Sequence, residues 1–328
     1  MKIIDFDRIQ SFGISAEEMY SWTEEVWRKQ DEFILPTKTH TWQGESGRYI
    51  TMPCVMPNED VAGVKFISRN VDDVNGIPKR NSNIMLQKIS EEGLYAVVDG
   101  MWITSMRTGA CAYYNATTFA KKEPETLAIY GLGTAARAFM YFWCNLYKKP
   151  ITVKLMPYKD QVELFMQRFP EVNGGGGQQL DKQRYKIKYQ IVSSIEELFD
   201  ADIVVSCVSF AHNVICENDS VFKKGCNIVP VHTSGFQNCD LFFDKVFVDD
   251  IGHVEGYRYF EQFKERMARI TDVTNKVKPG RENDEERTIV YNGGLAIFDI
   301  YWAKKILEKY ESQTLDIPMG YPKERFWI

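Results

Sequence analysis

Two cations and one glycine turn carry the residue types in this 328-residue sequence that could do chemistry. The turn is Gly131-Leu-Gly-Thr-Ala-Ala136, a G-x-G-x-x-A pattern between the apolar run Leu127 to Tyr130 and an apolar stretch reaching Asn145. The order reads strand, tight turn, helix. The first glycine permits the turn, the second lets backbone approach a pyrophosphate, and Ala136 lets the helix pack closely on the strand. The helix N-terminus offers N–H groups and a positive dipole end to an anion. The first cation is Lys65, inside the strand-like run Ala62-Gly-Val-Lys-Phe-Ile-Ser68. An unpaired buried ammonium is costly, so Lys65 is either paired or on the solvent face of an edge strand. The second is Arg107, the sole charge between Met101 and Ala120. Its planar fork suits a substrate carboxylate, and an internal acidic residue is the alternative partner.

The elements that position these residues follow from periodicity. Residues 11 to 34 are expected to be helical, with Ser15 and Glu18 as a capping box. Residues 35 to 56 switch to alternation, as half-buried strands do. Strands are expected at 62 to 68, 83 to 88 and 94 to 98, and a helix from 101 to 120. After the glycine turn, strands at 151 to 156, 187 to 192, 202 to 207, 226 to 231 and 245 to 248 alternate with short helices. That alternation predicts an α/β fold with a doubly wound parallel sheet. Residues 292 to 310 form a further amphipathic helix, and Asn173 to Gly177 a glycine-rich loop.

Composition narrows the function. A formal charge of −5 leaves no basic footprint for nucleic acid. No apolar run approaches a membrane span, and Met1 to Asp7 lacks a signal peptide's apolar core. Seven cysteines without a C-x-x-C pair suit reduced thiols in a cytoplasmic protein. Four histidines, none at metal-ligand spacing, predict no metal.

Several stretches together resemble the ornithine cyclodeaminase/μ-crystallin family: Met52-Pro53, Gly63-Val-Lys-Phe66, Gly76-Ile-Pro78, Asp99-Gly-Met-Trp-Ile-Thr-Ser-Met-Arg-Thr-Gly-Ala110, the glycine turn, Gly280-Arg281 and Gly293-Gly-Leu-Ala-Ile-Phe-Asp299. Arg-Thr-Gly-Ala is the most specific. The loop at Gly76-Ile-Pro-Lys-Arg is similar to the branch that makes or splits N-substituted amino acids. The resemblance implies a Rossmann-type domain at 117–288 inserted into a discontinuous α+β substrate and dimerisation domain, 1–116 plus 289–328. It implies a homodimer and hydride transfer between nicotinamide and the Cα–N bond of an amino acid or its imine. Ornithine cyclodeaminase, or a non-catalytic NADPH-dependent binder, are the alternatives.

Residue by residue, the resemblance makes Lys65 the active-site lysine, Arg107 the carboxylate-binding arginine and Lys38 a second substrate contact. It places Lys79, Arg107, Gly131, Gly133, Thr134, Ala135, Ala136 and Cys207 at the cofactor. Two departures matter. Cyclodeaminases carry a catalytic aspartate after the fifth strand, where Val231 to Asp240 is shorter and Asp240 is the candidate. The second strand ends Met156-Pro-Tyr-Lys-Asp160 without a carboxylate at the usual ribose position. Tyr158 could stack on adenine and Lys159 pair with a 2′-phosphate, so NADP is expected over NAD.

Overall fold

The computed structural model describes all residues except 45–46, 70–79, 92, 171–186, 209–210, 212, 233–234, 323 and 325–328. The expectations for Gly76 to Lys79 and Asn173 to Gly177 lie outside the described residues. β1 (Lys2–Ile4), α1 (Phe6–Ser11) and α2 (Ala16–Lys29) lead into β2 (Thr39–Gln43), β3 (Gly47–Met56), β4 (Val61–Arg69), β5 (Arg80–Lys88), β6 (Ala96–Asp99) and α3 (Gly100–Thr118). There follow β7 (Thr126–Tyr130), α4 (Thr134–Leu146), β8 (Ile151–Leu155), α5 (Gln161–Arg168), β9 (Ile187–Ile191), α6 (Ile195–Phe199), β10 (Ile203–Ser206) and β11 (Asn227–Pro230). Then come α7 (Cys239–Phe242), β12 (Lys245–Val248), α8 (Phe260–Phe263), β13 (Met267–Arg269), α9 (Ile270–Thr274), β14 (Thr288–Tyr291), α10 (Ala296–Tyr310) and β15 (Leu315–Asp316).

Two compact units result. One comprises Met1–Ser15, Lys29–Arg107 and Leu295–Ile328, and the other Ala16–Arg28 and Thr108–Gly294. These limits differ from the sequence-based boundaries in three places, the last being the return to the first unit at Leu295 rather than at residue 289. The first is α2, which groups with the second unit because its apolar side docks there. Tyr20 meets Tyr113 edge-on at 5.3 Å, Trp27 is fully enclosed, and the Thr271 hydroxyl donates to the Trp27 carbonyl at 2.7 Å. The second is α3, which the division cuts between Arg107 and Thr108.

The first unit is built on a seven-stranded sheet of order β15-β1-β6-β5-β4-β3-β2. Only β1 and β6 pair in parallel. β4 is interior, paired to β3 and β5 along its whole length, so the edge-strand alternative for Lys65 does not hold. Because side chains alternate faces along a strand, Val61, Gly63, Lys65, Ile67 and Arg69 share one face. α10 packs across β3, β4 and β5 on this face. Gly63 is what lets it lie close: a Cβ there would come within 2.7 Å of Ile300 Cδ1 and 2.9 Å of the Met85 carbonyl.

The second unit is an eight-stranded parallel sheet, order β13-β12-β14-β11-β10-β7-β8-β9. From β7 the chain winds outward to β8 and β9, then returns past β7 to β10 and β11, the doubly wound arrangement. Two strands, β13 and β14, have no counterpart in the sequence reading. β14 inserts between β11 and β12. Its Thr-Ile-Val-Tyr is four residues long and fully buried, too short for periodicity to distinguish it from the helix that follows. Among the described residues no helix is long and apolar enough to cross a membrane.

Candidate active site

Lys65 projects from the middle of β4 with no exposed surface. Its Nζ donates to Asp299 Oδ2 at 2.6 Å, with Thr104 Oγ1 at 3.5 Å. Asp299, also fully buried, stands in the first turn of α10. Its other oxygen, Oδ1, accepts from Arg107 Nε at 3.1 Å and from Thr104 Oγ1 at 3.4 Å. One carboxylate therefore bridges the two cations singled out by sequence, and the internal acid is the observed partner of Arg107. The two terminal nitrogens of the guanidinium have no acceptor among the described residues, which leaves a donor pair of the kind that grips a carboxylate.

Burial dominates the electrostatics of Lys65. Desolvation pushes its ammonium down, Asp299 opposes this, and the charges of Arg107 and Lys38 push it down further, to about 7. Lys38 is half-buried, and its charge is felt at Lys65. Sequence reading named Asp299 without giving it a function. The signal was an acid within the apolar run Ala296 to Ala303.

Asp240 stands elsewhere. It lies in the core of the second unit, on α7, with no exposed surface. Tyr291 donates to its Oδ2 at 3.0 Å, while Oδ1 has no partner. Burial raises its carboxyl to about 7 against the Tyr291 hydrogen bond. Asp240, the residue that the resemblance offers as catalytic acid, is thus enclosed in the core of the second unit beside Tyr291.

The glycine turn follows β7. Gly131 has φ +85°, and a Cβ there would lie 3.0 Å from the Val208 amide nitrogen. At Gly133 a Cβ would meet nothing within 4 Å, so the space over this backbone is open. Gly133 caps α4, and no side chain caps the helix or places an acid in its first turn. The amides of Thr134, Ala135 and Ala136 thus head a thirteen-residue helix toward open space. Cys207, at the end of β10, is buried, and desolvation pushes its thiol up to about 12; it is an inert small residue there. Tyr158 and Lys159 follow β8 on the surface, with Lys159 Nζ 5.5 Å from the Tyr158 ring centre. Lys79 lies outside the described residues. Among those described, no group of three His, Cys, Asp or Glu residues is placed to hold a metal.

The profile of the ornithine cyclodeaminase/mu-crystallin family matches residues 10–314. The protein belongs to that family. It is 25% identical over 280 residues to a Delta(1)-pyrroline-2-carboxylate reductase of Bacillus thuringiensis subsp. konkukian, covering 81% of this chain and 82% of the relative. It is also 25% identical over 312 residues to an N-((2S)-2-amino-2-carboxyethyl)-L-glutamate dehydrogenase of Staphylococcus aureus, covering 87% of each. The fold matches that of Thermococcus litoralis Delta(1)-pyrroline-2-carboxylate reductase in complex with NADH and L-proline, with a TM-score of 0.82 and 20% identity over 97% of this chain and 100% of that one. The open backbone at Gly133 and the uncapped first turn of α4 fit the dinucleotide such family members bind.

The bridging carboxylate sets the stability of the site. Removing one partner of a buried ion pair costs about 3–5 kcal/mol, so Asp299→Asn should lower unfolding free energy by that order in urea titrations. The pH dependence has a definite sign. Folded Lys65 gives up its proton near 7, whereas the unfolded chain holds it up to 10.5. Between these values the unfolded state binds more protons, and stability contributed by this group rises with pH. Lys65→Met should flatten that rise.

Proposed function

We propose that this family oxidoreductase transfers hydride between a nicotinamide dinucleotide and the Cα of an amino acid, working between the amino acid and its imine. The observation that carries the reading is the pairing of Lys65 and Arg107 on the single carboxylate of Asp299, with the charge of Lys38 felt at Lys65. Its positive charge is balanced when a substrate carboxylate enters. The bound nicotinamide would supply or accept the hydride. The terminal nitrogens of Arg107 hold the substrate carboxylate, and Lys38 adds a point charge beside it. Lys65, poised near neutrality, gives a proton to or takes one from the substrate nitrogen. Asp299 orients both cations. Thr134, Ala135 and Ala136 cradle the pyrophosphate, with Gly131, Gly133 and Cys207 leaving room for it.

Imine reduction or amino acid oxidation is favoured over ornithine cyclisation, because the stretch from Val231 to Asp240 is shorter than the cyclodeaminase pattern. The test is to follow nicotinamide absorbance with cyclic and acyclic imines of 2-oxo acids. Reduction should fall as pH rises through about 7, where Lys65 loses its proton, and amino acid oxidation should rise. Lys65→Met should remove this limb and lower kcat by about 10²–10⁴-fold while cofactor binding persists. Tight cofactor binding with no turnover of any imine or amino acid would favour a binding protein instead.

NADP is the proposed preference. Lys159 is exposed at the end of β8, next to Tyr158, and a cation there can pair with a 2′-phosphate. Such a surface pair contributes about 1 kcal/mol, so preference rather than exclusion is expected. Lys159→Ala should narrow the ratio of NADPH to NADH affinity by about fivefold, and an unchanged ratio would transfer attention to Asp160.

A homodimer completes the proposal. The sheet face opposite α10 carries Phe66, 38% exposed, and Met85, 41% exposed, with Tyr49 stacked on Phe66 at 6.0 Å. Such an apolar sheet face suits burial by a second copy. Light scattering at micromolar concentration should give the mass of two chains.

A further inference from the structure

The chain leaving β12 reaches the carboxyl edge of the parallel sheet at Asp249, the residue directly after Val248. Asp249 is fully buried. Its Oδ2 accepts from the Gly294 amide at 2.7 Å, and its Oδ1 accepts from the Asp250 amide at 2.9 Å. His253 Nδ1 lies 3.0 Å from the same Oδ1. A carboxylate only accepts, so the imidazole proton sits on Nδ1 and Nε2 presents a lone pair. Nε2 has no hydrogen-bond partner among the described residues, and the side chain keeps 12% of its surface open.

The ring is held in place as well as polarised. It lies against Gly293, where a Cβ would come within 2.8 Å of Nδ1 and 3.5 Å of Cε1. The end of β12, the single turn Ile251–His253 and the glycine pair after β14 thus fix one imidazole. A buried carboxylate that sets tautomer and orientation is what an acid–base histidine needs. The position suits the same role. β7, β10, β11, β14 and β12 run parallel, so their carboxyl ends share one edge, and doubly wound sheets bind ligands outside that edge. Gly131 follows β7 there, and the adenosine ribose belongs at the end of β8. A dinucleotide on the glycine turn therefore sends its nicotinamide half the other way, over β10 and β11. β14 and β12 come next, three and four strands from β7, or about 14 and 19 Å at the usual strand spacing. All these residues belong to one compact unit.

We propose that His253, oriented by Asp249, is the acid–base residue for the water step that interconverts the imine with a 2-oxo acid and a free amine. This deepens the proposed function and rests on its reading of chemistry at the Cα–N bond. In the direction of hydrolysis, the water oxygen bonds to the iminium carbon, the C=N π pair moves to nitrogen, and Nε2 takes one water proton. The imidazolium returns that proton to the nitrogen of the carbinolamine. The C–N bond then breaks, the hydroxyl proton passes to the departing amine, and the 2-oxo acid remains. Both water protons end on nitrogen, and nothing is oxidised or reduced. Condensation of amine with 2-oxo acid is the same path reversed. Water is common to every such substrate, which suits a group built into the nucleotide-binding unit.

The test uses the full-length protein and His253→Asn, whose side-chain N–H can still donate to Asp249 while Nε2 is lost. Two reductions are compared with excess reduced cofactor. A preformed cyclic imine of a 2-oxo acid has already lost its water. Pyruvate or 2-oxoglutarate with ammonia or methylamine must lose it on the enzyme. The wild type should reduce both, and in the variant the ratio of the second kcat to the first should fall by about 10²-fold. Both rates come from one preparation, so the ratio is independent of the fraction folded. Diethyl pyrocarbonate, which acylates an imidazole lone pair, supplies a readout without turnover. Peptide mass spectrometry of the wild type should find His253 labelled, and pyruvate or 2-oxoglutarate with oxidised cofactor should slow that labelling severalfold. If neither kind of substrate is reduced, the function reading fails, yet protection of His253 still supports the site. An unchanged ratio, wild-type reduction of the cyclic imine alone, or labelling indifferent to the 2-oxo acid overturns it.

Discussion

Taking an ammonium group out of water costs several kcal/mol unless a carboxylate and further hydrogen bonds meet it. Lys65 is wholly enclosed in an interior strand, and much of the first unit can be understood as meeting that cost. Asp299 must reach it, so α10 must cross β4, and Gly63 must lack a side chain for the helix to lie close enough. Arg107 must approach the same carboxylate from α3. Thr104, one turn earlier on α3, contacts both the ammonium and the carboxylate. Helix, strand and helix are thereby locked around a single pair of carboxylate oxygens. The arrangement places a proton donor of near-neutral affinity beside a guanidinium whose fork is still open, the combination that chemistry at an amino acid's Cα–N bond requires.

Much of this was legible in the sequence, and the gaps have physical causes. The G-x-G-x-x-A turn was readable because glycine conformation and close backbone approach are local demands. Lys65 and Arg107 stood out because a charge inside an apolar run needs an explanation. What pairs them was not readable: Asp299 lies 234 residues from Lys65 and 192 from Arg107, and no periodicity spans such a gap. The placement of α2 was lost for a related reason. An amphipathic pattern says that a face is buried, not against which core. Asp240 was singled out by its position after a strand, which does not reveal that its carboxylate accepts from Tyr291 within the core. That Arg48, Arg69 and Arg80 stand opposite one another was invisible because it exists only through register: each strand shows one arginine near its end, unremarkable alone.

The two sheets also divide the work between two kinds of order. The parallel sheet is nearly all apolar, and its glycine turn presents backbone amides, which leaves a site insensitive to side-chain identity except where a Cβ would intrude. The antiparallel sheet does the opposite. Its face toward α10 carries cations at chosen rungs, so that spacing along the strands becomes spacing between charges. A dinucleotide is common to many reactions and suits the first kind of site; a particular substrate suits the second.

The cysteines have a consequence for observing the protein at work. All seven are free, and six are buried. Desolvation pushes the thiols of Cys54, Cys144, Cys207 and Cys226 up to about 12, so almost no thiolate exists near neutral pH and alkylating reagents find little to attack. Cys54 belongs to the antiparallel unit and the other six to the parallel one. The native sequence thus contains its own clock for local opening. Labelling of Cys54 records when β3 loosens, labelling of the five other buried thiols records when the second unit does, and the two rates can be read in one experiment without introducing a probe.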